Sequence, residues 1–269
     1  MNYNEQPGSG PSTTPNPIRY LLLFTALSCV ICALIDIFIK EAFHISGPLT
    51  YLSLSGEGMS RYFLWQPLTY FFVYGSGEGG IDFYWMAGLA LTLYILWITA
   101  SHLYERLGIK HFFILYFASG IIPGLIALLF MPVFDQYPVL SGQFSCLLGL
   151  MTGWVFLNPT GRLFVFRMIP IEARAILVVV FATAILLSFS NEEFIYPVWY
   201  TAAGITAYLY ALLVLRLKSP YKVMENVDSF LVKALAKIKN ILHITAKEEN
   251  KIYDIRTGEP FDPEDDDLK

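Results

Sequence analysis

Between residues 18 and 217 the chain alternates long apolar runs with short polar breaks. Six runs stand out, at 18–39, 83–103, 111–131, 142–157, 175–189 and 196–217. About 20 consecutive apolar residues are needed to cross the hydrocarbon core of a bilayer. Backbone groups in lipid must be paired internally, so runs of this kind predict helices. The fourth and fifth runs are short, which predicts helices sheltered inside a bundle. A further apolar stretch, RYFLWQPLTYFFVY (61–74), is interrupted by Pro67 and followed by glycines around 75–80. It predicts a membrane-embedded loop rather than a span.

Charge sharpens this picture. Only 15% of residues are charged and 55% are hydrophobic, against roughly 25% charged in a soluble domain. The expectation is an all-α polytopic integral membrane protein. Arg19, Arg106, Lys110, Arg162, Arg167, Arg174, Arg216, Lys218 and Lys222 fall on one side of the six runs, and only Lys40 and Arg61 on the other. The Lys/Arg excess marks the cytoplasmic side, so both termini are expected there. The net charge of −4 arises mainly from EPFDPEDDD at 259–267; no basic patch points to nucleic acid.

Three parts follow: a leader over 1–17, read as disordered; a membrane domain over 18–217; and a tail over 218–269. The leader lacks the charged start and cleavage site of a signal peptide. In the tail, apolar positions recur at helical spacing over about 223–246 beside Lys233, Lys237 and Lys239, which predicts an amphipathic helix on the cytoplasmic leaflet. The acidic end beyond it is read as disordered. Cys29, Cys32 and Cys146 lie in apolar runs and read as packing residues. Nothing in the sequence calls for a metal or another cofactor.

The order of several short motifs resembles the rhomboid intramembrane serine proteases. WQPLTYFFVY (65–74) is similar to the family's W-R-x-x-T-x-x-x-x-H segment. LYERLG (103–108) followed by FFILYFASGIIPG (112–124) is similar to its L-E-x-x-L-G and L-Y-L-x-S-G patterns. NPTGRLFVFRMIPIEAR (158–174) resembles its basic cytoplasmic loop, and TAAGITAYLYALLVLRL (201–217) its small-residue sixth span. The resemblance covers roughly 60–217 and implies a six-helix rhomboid-like bundle with an embedded first outer loop.

The family's catalytic serine opens the fourth span in the motif G-x-S-G. Here SGQFSCLLG runs from Ser141 to Gly149 in that register, with Val139 replacing the first glycine and Cys146 a middle one. Placing Ser145 at the nucleophile position shifts Gly149 to the wrong offset, so Ser141 is the better match. A serine hydroxyl is a weak nucleophile until a base takes its proton. The family draws that base from a histidine early in the sixth span, where this chain has Thr201 or Tyr200, depending on the anchor. The four histidines, His44, His102, His111 and His243, all lie elsewhere. Thr is no base near neutral pH, and Tyr titrates near 10.

The family's oxyanion donors map to Leu89 and Leu93, or to Ile81 and Trp85 if counted from the start of the span. Losing one such donor costs about two to three orders of magnitude in rate. As a residue without catalysis, Ser141 reads as the N-cap of the fourth helix. Gly142, Cys146, Gly149, Gly153, Ala203, Gly204 and Ala207 read as small residues for close helix approach. Glu105 and Arg106 read as structural ties at the end of the second span. Asp36 and Asp82 are the acids near span ends, where ionisable residues raise a functional question.

These observations lead to a rhomboid-like membrane protein with impaired or absent proteolysis. By resemblance to inactive members of the superfamily, it would bind transmembrane segments of client proteins within the lipid bilayer. The embedded loop and the cleft between the second and fifth spans would be the client surface. The alternative is an active intramembrane serine endopeptidase using Ser141 with an unidentified base; a third is a transporter depending on Asp36 or Asp82.

Overall fold

The computed structural model describes residues 14–75, 81–158, 161–165, 169–217, 219–221, 224 and 226–233. The chain divides into two units, Met1–Val223 and Met224–Lys269. In the second, residues 226–233 are helical. The remainder of the expected amphipathic helix, the acidic end and most of the leader lie outside the described residues.

Every apolar run forms a helix. α1 (Asn16–Phe43) buries one stripe, Ile18, Leu21, Thr25, Cys29, Ala33 and Asp36, at the three- and four-residue spacing of a helical face. Its opposite side exposes Leu23, Phe24, Leu27, Ile31, Leu34 and Phe38. That face is costly in water and neutral against lipid tails. The helix ends at His44, whose left-handed backbone lets its N–H reach the Lys40 carbonyl.

Three short helices, α2 (Pro48–Leu52), α3 (Gly56–Ser60) and α4 (Gln66–Thr69), build the long loop after α1, the one expected on the outer side. Buried Gln66 clamps them: its amide donates toward the carbonyls of Thr50 and Tyr51, both at 3.4 Å, and its Oε1 accepts from the Ser55 N–H at 3.2 Å. Thr69 donates to the Leu52 carbonyl at 2.8 Å, and the Trp65 indole to that of Tyr51 at 2.9 Å. The carbonyls of Thr50, Tyr51 and Leu52 and the Ser55 N–H are thus paired within the protein, as a loop at membrane depth would require.

α5 (Phe83–Phe134) holds two of the predicted spans, separated at Gly108 with φ 72 and ψ 172. Both limbs touch one residue of α6 (Phe144–Leu157). A Cβ on Gly153 would lie 2.7 Å from Leu115 Cδ2 and 3.7 Å from Leu103 Cδ2. In a straight helix those leucines would be about 18 Å apart, so the chain folds back at Gly108. α6 has 14 residues, 11 of them buried. At about 1.5 Å per residue it is shorter than the hydrocarbon core, and its neighbours enclose it as expected of the fourth run.

The fifth run behaves differently. α7 (Ala173–Ser190) buries only Ala173, Leu177 and Ser188, so it is peripheral rather than sheltered. Val178, Val179, Leu186, Leu187 and Phe189 face outward; the run is short because it starts directly from a hairpin, not because it is enclosed. That hairpin, β1 (Arg162–Val165) and β2 (Ile169–Glu172), pairs antiparallel with Arg162 opposite Glu172, a local addition to an all-α fold. α8 (Ile195–Leu209) runs on into a π-helical turn, Tyr210–Val214. Among the described residues, four helices, Asn16–Phe43, Phe83–Phe134, Ala173–Ser190 and Ile195–Val214, are long and apolar enough to cross a membrane.

Candidate functional site

The segment before α6 is held extended by its neighbours. Leu140 exchanges two backbone hydrogen bonds with Leu54 of the outer loop, each 2.8 Å. Gly142 donates its N–H to the Tyr70 carbonyl at 3.0 Å, with φ +91. That left-handed conformation favours glycine, which explains the Ser-Gly pair without reference to chemistry. Between these anchors the Ser141 hydroxyl donates to the Gly75 carbonyl at 2.8 Å.

This corrects the expectation that Ser141 caps α6. Gln143 occupies the N-cap position, without a side-chain capping bond. The turn at Gly142 delays the helix to Phe144, leaving Ser141 outside its first turn. The Gln143 amide instead reaches across to Thr25 Oγ1 of α1 at 2.9 Å.

Of the two residues at the family's base position, Tyr200 packs against the first residue of α6. Its ring packs edge-on against Phe144 with centroids 4.8 Å apart. Thr201 is exposed and lines a groove with residues of α5. The histidines have other roles. His44 caps α1; His102 Nδ1 lies 2.7 Å from the Ile98 carbonyl one turn back; His111 Nδ1 lies 2.8 Å from the Tyr210 hydroxyl. His243 lies outside the described residues.

At the family's oxyanion positions, Leu89 is buried and Leu93 half-buried, and a leucine side chain donates nothing. Trp85, from the alternative count, has an indole N–H, but it donates to the Tyr74 carbonyl at 3.1 Å. The adjacent carbonyls of Tyr74 and Gly75 therefore accept from Trp85 and Ser141, respectively. One stretch of loop joins the head of α5 to the candidate serine. Asp82, beside it, caps α5 by accepting from the Trp85 backbone N–H at 2.7 Å.

The centre of the region is a residue that the motifs do not single out. Tyr70 is fully buried. Its hydroxyl donates to the Gly120 carbonyl, accepts from the Trp199 indole at 3.2 Å, and lies 3.2 Å from Ser145 Oγ. With Ser145 donating, all of the hydroxyl's bonding capacity is used. Tyr70 thereby ties the embedded loop to α5, α6 and α8. It also places Ser145, the alternative nucleophile, inside a closed structural network. The signal was present in WQPLTYFFVY as a Tyr within an apolar run, where a buried phenol requires partners.

Small residues set the helix spacing, with partners only the structure supplies. A Cβ on Gly149 would fall 2.1 Å from Ser119 Oγ, and one on Gly120 2.8 Å from Cys146 Sγ. Both contacts join α5 to α6. Gly204 faces α7 instead, where a Cβ would meet Phe181 Cζ at 2.6 Å. Arg106 donates to the Leu157 carbonyl at 3.3 Å, placing a cation at the C-terminus of α6, where the helix dipole favours it. Its neighbour Glu105 is exposed. Asp36, though buried, pairs with Lys40 at 2.8 Å and accepts from the Leu49 N–H at 3.1 Å. It fastens the outer loop to α1.

An all-α bundle with lipid-compatible faces, enclosing one short helix, defines an integral membrane protein. The rhomboid domain family model matches residues 62–217, more than half of the chain. The chain belongs to the rhomboid family. No curated protein matches it.

Proposed function

We propose that this rhomboid-family protein is a non-proteolytic binder of transmembrane segments of client membrane proteins, with six spans and both termini in the cytoplasm. The carrying observation is the state of the Ser141 hydroxyl. It donates to a backbone carbonyl, that of Gly75, and neither residue at the family's base position, Thr201 or Tyr200, is a histidine. A peptide carbonyl oxygen is not a competent base, and activation of a serine requires one. The Lys/Arg distribution supports the orientation. The folding back of α5 at Gly108 supports counting its 52 residues as two spans.

Labelling with a fluorophosphonate tests this reading. Purified full-length protein remains unlabelled, in parallel with Ser141→Ala. Stoichiometric labelling that disappears in Ser141→Ala would overturn it and favour the active endopeptidase.

A further inference from the structure

A groove of about 700 Å³ lies between the second limb of α5 and α8, with Thr201 among its lining residues. Its walls include Ala118, Ile122 and Ile126 on one side and Ile205, Leu209 and Leu213 on the other. The volume is in the range of about 300–1,000 Å³ typical of small-ligand sites. A transmembrane helix about 10 Å across and 30 Å long is too bulky to enter and could only lie over it.

One end of the groove has a distinct chemistry. Tyr210 and Val214, both in the lining, belong to the π-helical turn that ends α8. Tyr210 is tied to α5 through His111 at 2.8 Å, so the first turn of the second limb adjoins this end. Lys110 precedes His111, and Arg216 follows Val214 by two residues; both are exposed. Among the described residues neither makes an ion pair. Arg216 has φ 54, a left-handed conformation that glycine adopts freely and other residues do not. The terminating bonds, from the Leu215 N–H to Tyr210 and from the Leu217 N–H to Ala211, hold it there. It is the left-handed cap that also ends α1 at His44 and α5 at Asp135, and it fixes where the Arg216 side chain leaves the helix end.

We infer that this groove binds an anionic phospholipid, with an acyl chain along the apolar walls and the headgroup phosphate between Lys110 and Arg216. Size separates this groove from a client surface, since a whole transmembrane helix does not fit within it. A phosphate is attracted to the two cations. The inference is independent of whether Ser141 is reactive.

Native mass spectrometry of the full-length protein, exchanged into micelles containing phosphatidylglycerol and phosphatidylcholine with matched chains, tests it. The wild type retains phosphatidylglycerol preferentially. The double variant Lys110→Gln/Arg216→Gly, whose glycine suits the backbone at 216, loses about tenfold in that preference. Ile205→Trp fills the groove and lowers retention of both lipids while leaving the cations in place. Equal retention by the wild type, a preference that survives the double substitution, or indifference to Ile205→Trp each overturns the site. Displacement of the retained lipid by an apolar transmembrane peptide would assign the groove to clients instead.

Discussion

The Ser141 hydroxyl is engaged as a donor to the carbonyl oxygen of Gly75, 2.8 Å away. In a serine hydrolase that proton would go to a base; here it fastens a loop to the start of the α6 segment. Removing the hydroxyl should therefore act on stability alone. Ser141→Ala should cost about 0.5–1.5 kcal/mol, the net worth of one hydrogen bond, and leave client retention unchanged. Reversible unfolding in mixed micelles measures the first, and co-purification of a client segment the second. Loss of retention at normal accumulation would show that the hydroxyl does more than fasten a loop.

Tyr70 predicts a larger effect at a position outside the catalytic motif. Tyr70→Phe leaves the buried Trp199 indole N–H without its acceptor and removes the tie to Gly120. A stranded buried donor costs about 1–3 kcal/mol. Ser145→Ala removes one bond and should cost less, about 0.5–1.5 kcal/mol. In a double-mutant cycle the two should be non-additive, because both disrupt one network. Additive losses would mean that Ser145 and Tyr70 are not coupled.

The contrast between Ser141 and Tyr70 shows what was legible in the sequence. The helices were readable because lipid forces apolar, internally bonded segments, and their order with the Ser-Gly register located the candidate serine. What the serine touches was not readable. Gly75 lies in a loop 66 residues away in the chain, and no local periodicity encodes that pairing. The cap expectation failed for a local reason: Gly142 adopts φ +91 and delays the helix. The peripheral place of α7 was invisible because a lipid-facing helix and a sheltered one are equally apolar. Gly149 and Gly204 were recognisable as packing residues, but their partners on different helices were not.

Asp36 tests the transporter alternative. Asp36→Ala strands the Leu49 N–H and removes one partner of Lys40 Nζ. Breaking a buried pair from one side costs about 3–5 kcal/mol; the value here should fall toward the lower end because the Lys40 side chain is 36% exposed. The expected phenotype is a loosened outer loop, read as faster protease cleavage near residues 44–49, without any solute flux to lose in reconstituted vesicles. Measurable flux in the wild type that vanishes in Asp36→Ala would revive transport.

The contact between Gly149 and Ser119 predicts a compensating pair. Gly149→Ala places a methyl group about where the Ser119 side chain sits, with 2.1 Å to Oγ and 2.2 Å to Cβ. Overpacking of this kind costs about 1–3 kcal/mol. Ser119→Gly clears the space but adds a glycine inside α5, at about 1 kcal/mol. The double variant should be more stable than the sum of the single losses, since the glycine removes the atoms that the new methyl strikes. Mixed-micelle unfolding of all four proteins measures the coupling. Strict additivity would mean that α5 and α6 are farther apart in the membrane than Ser119 and Gly149 require.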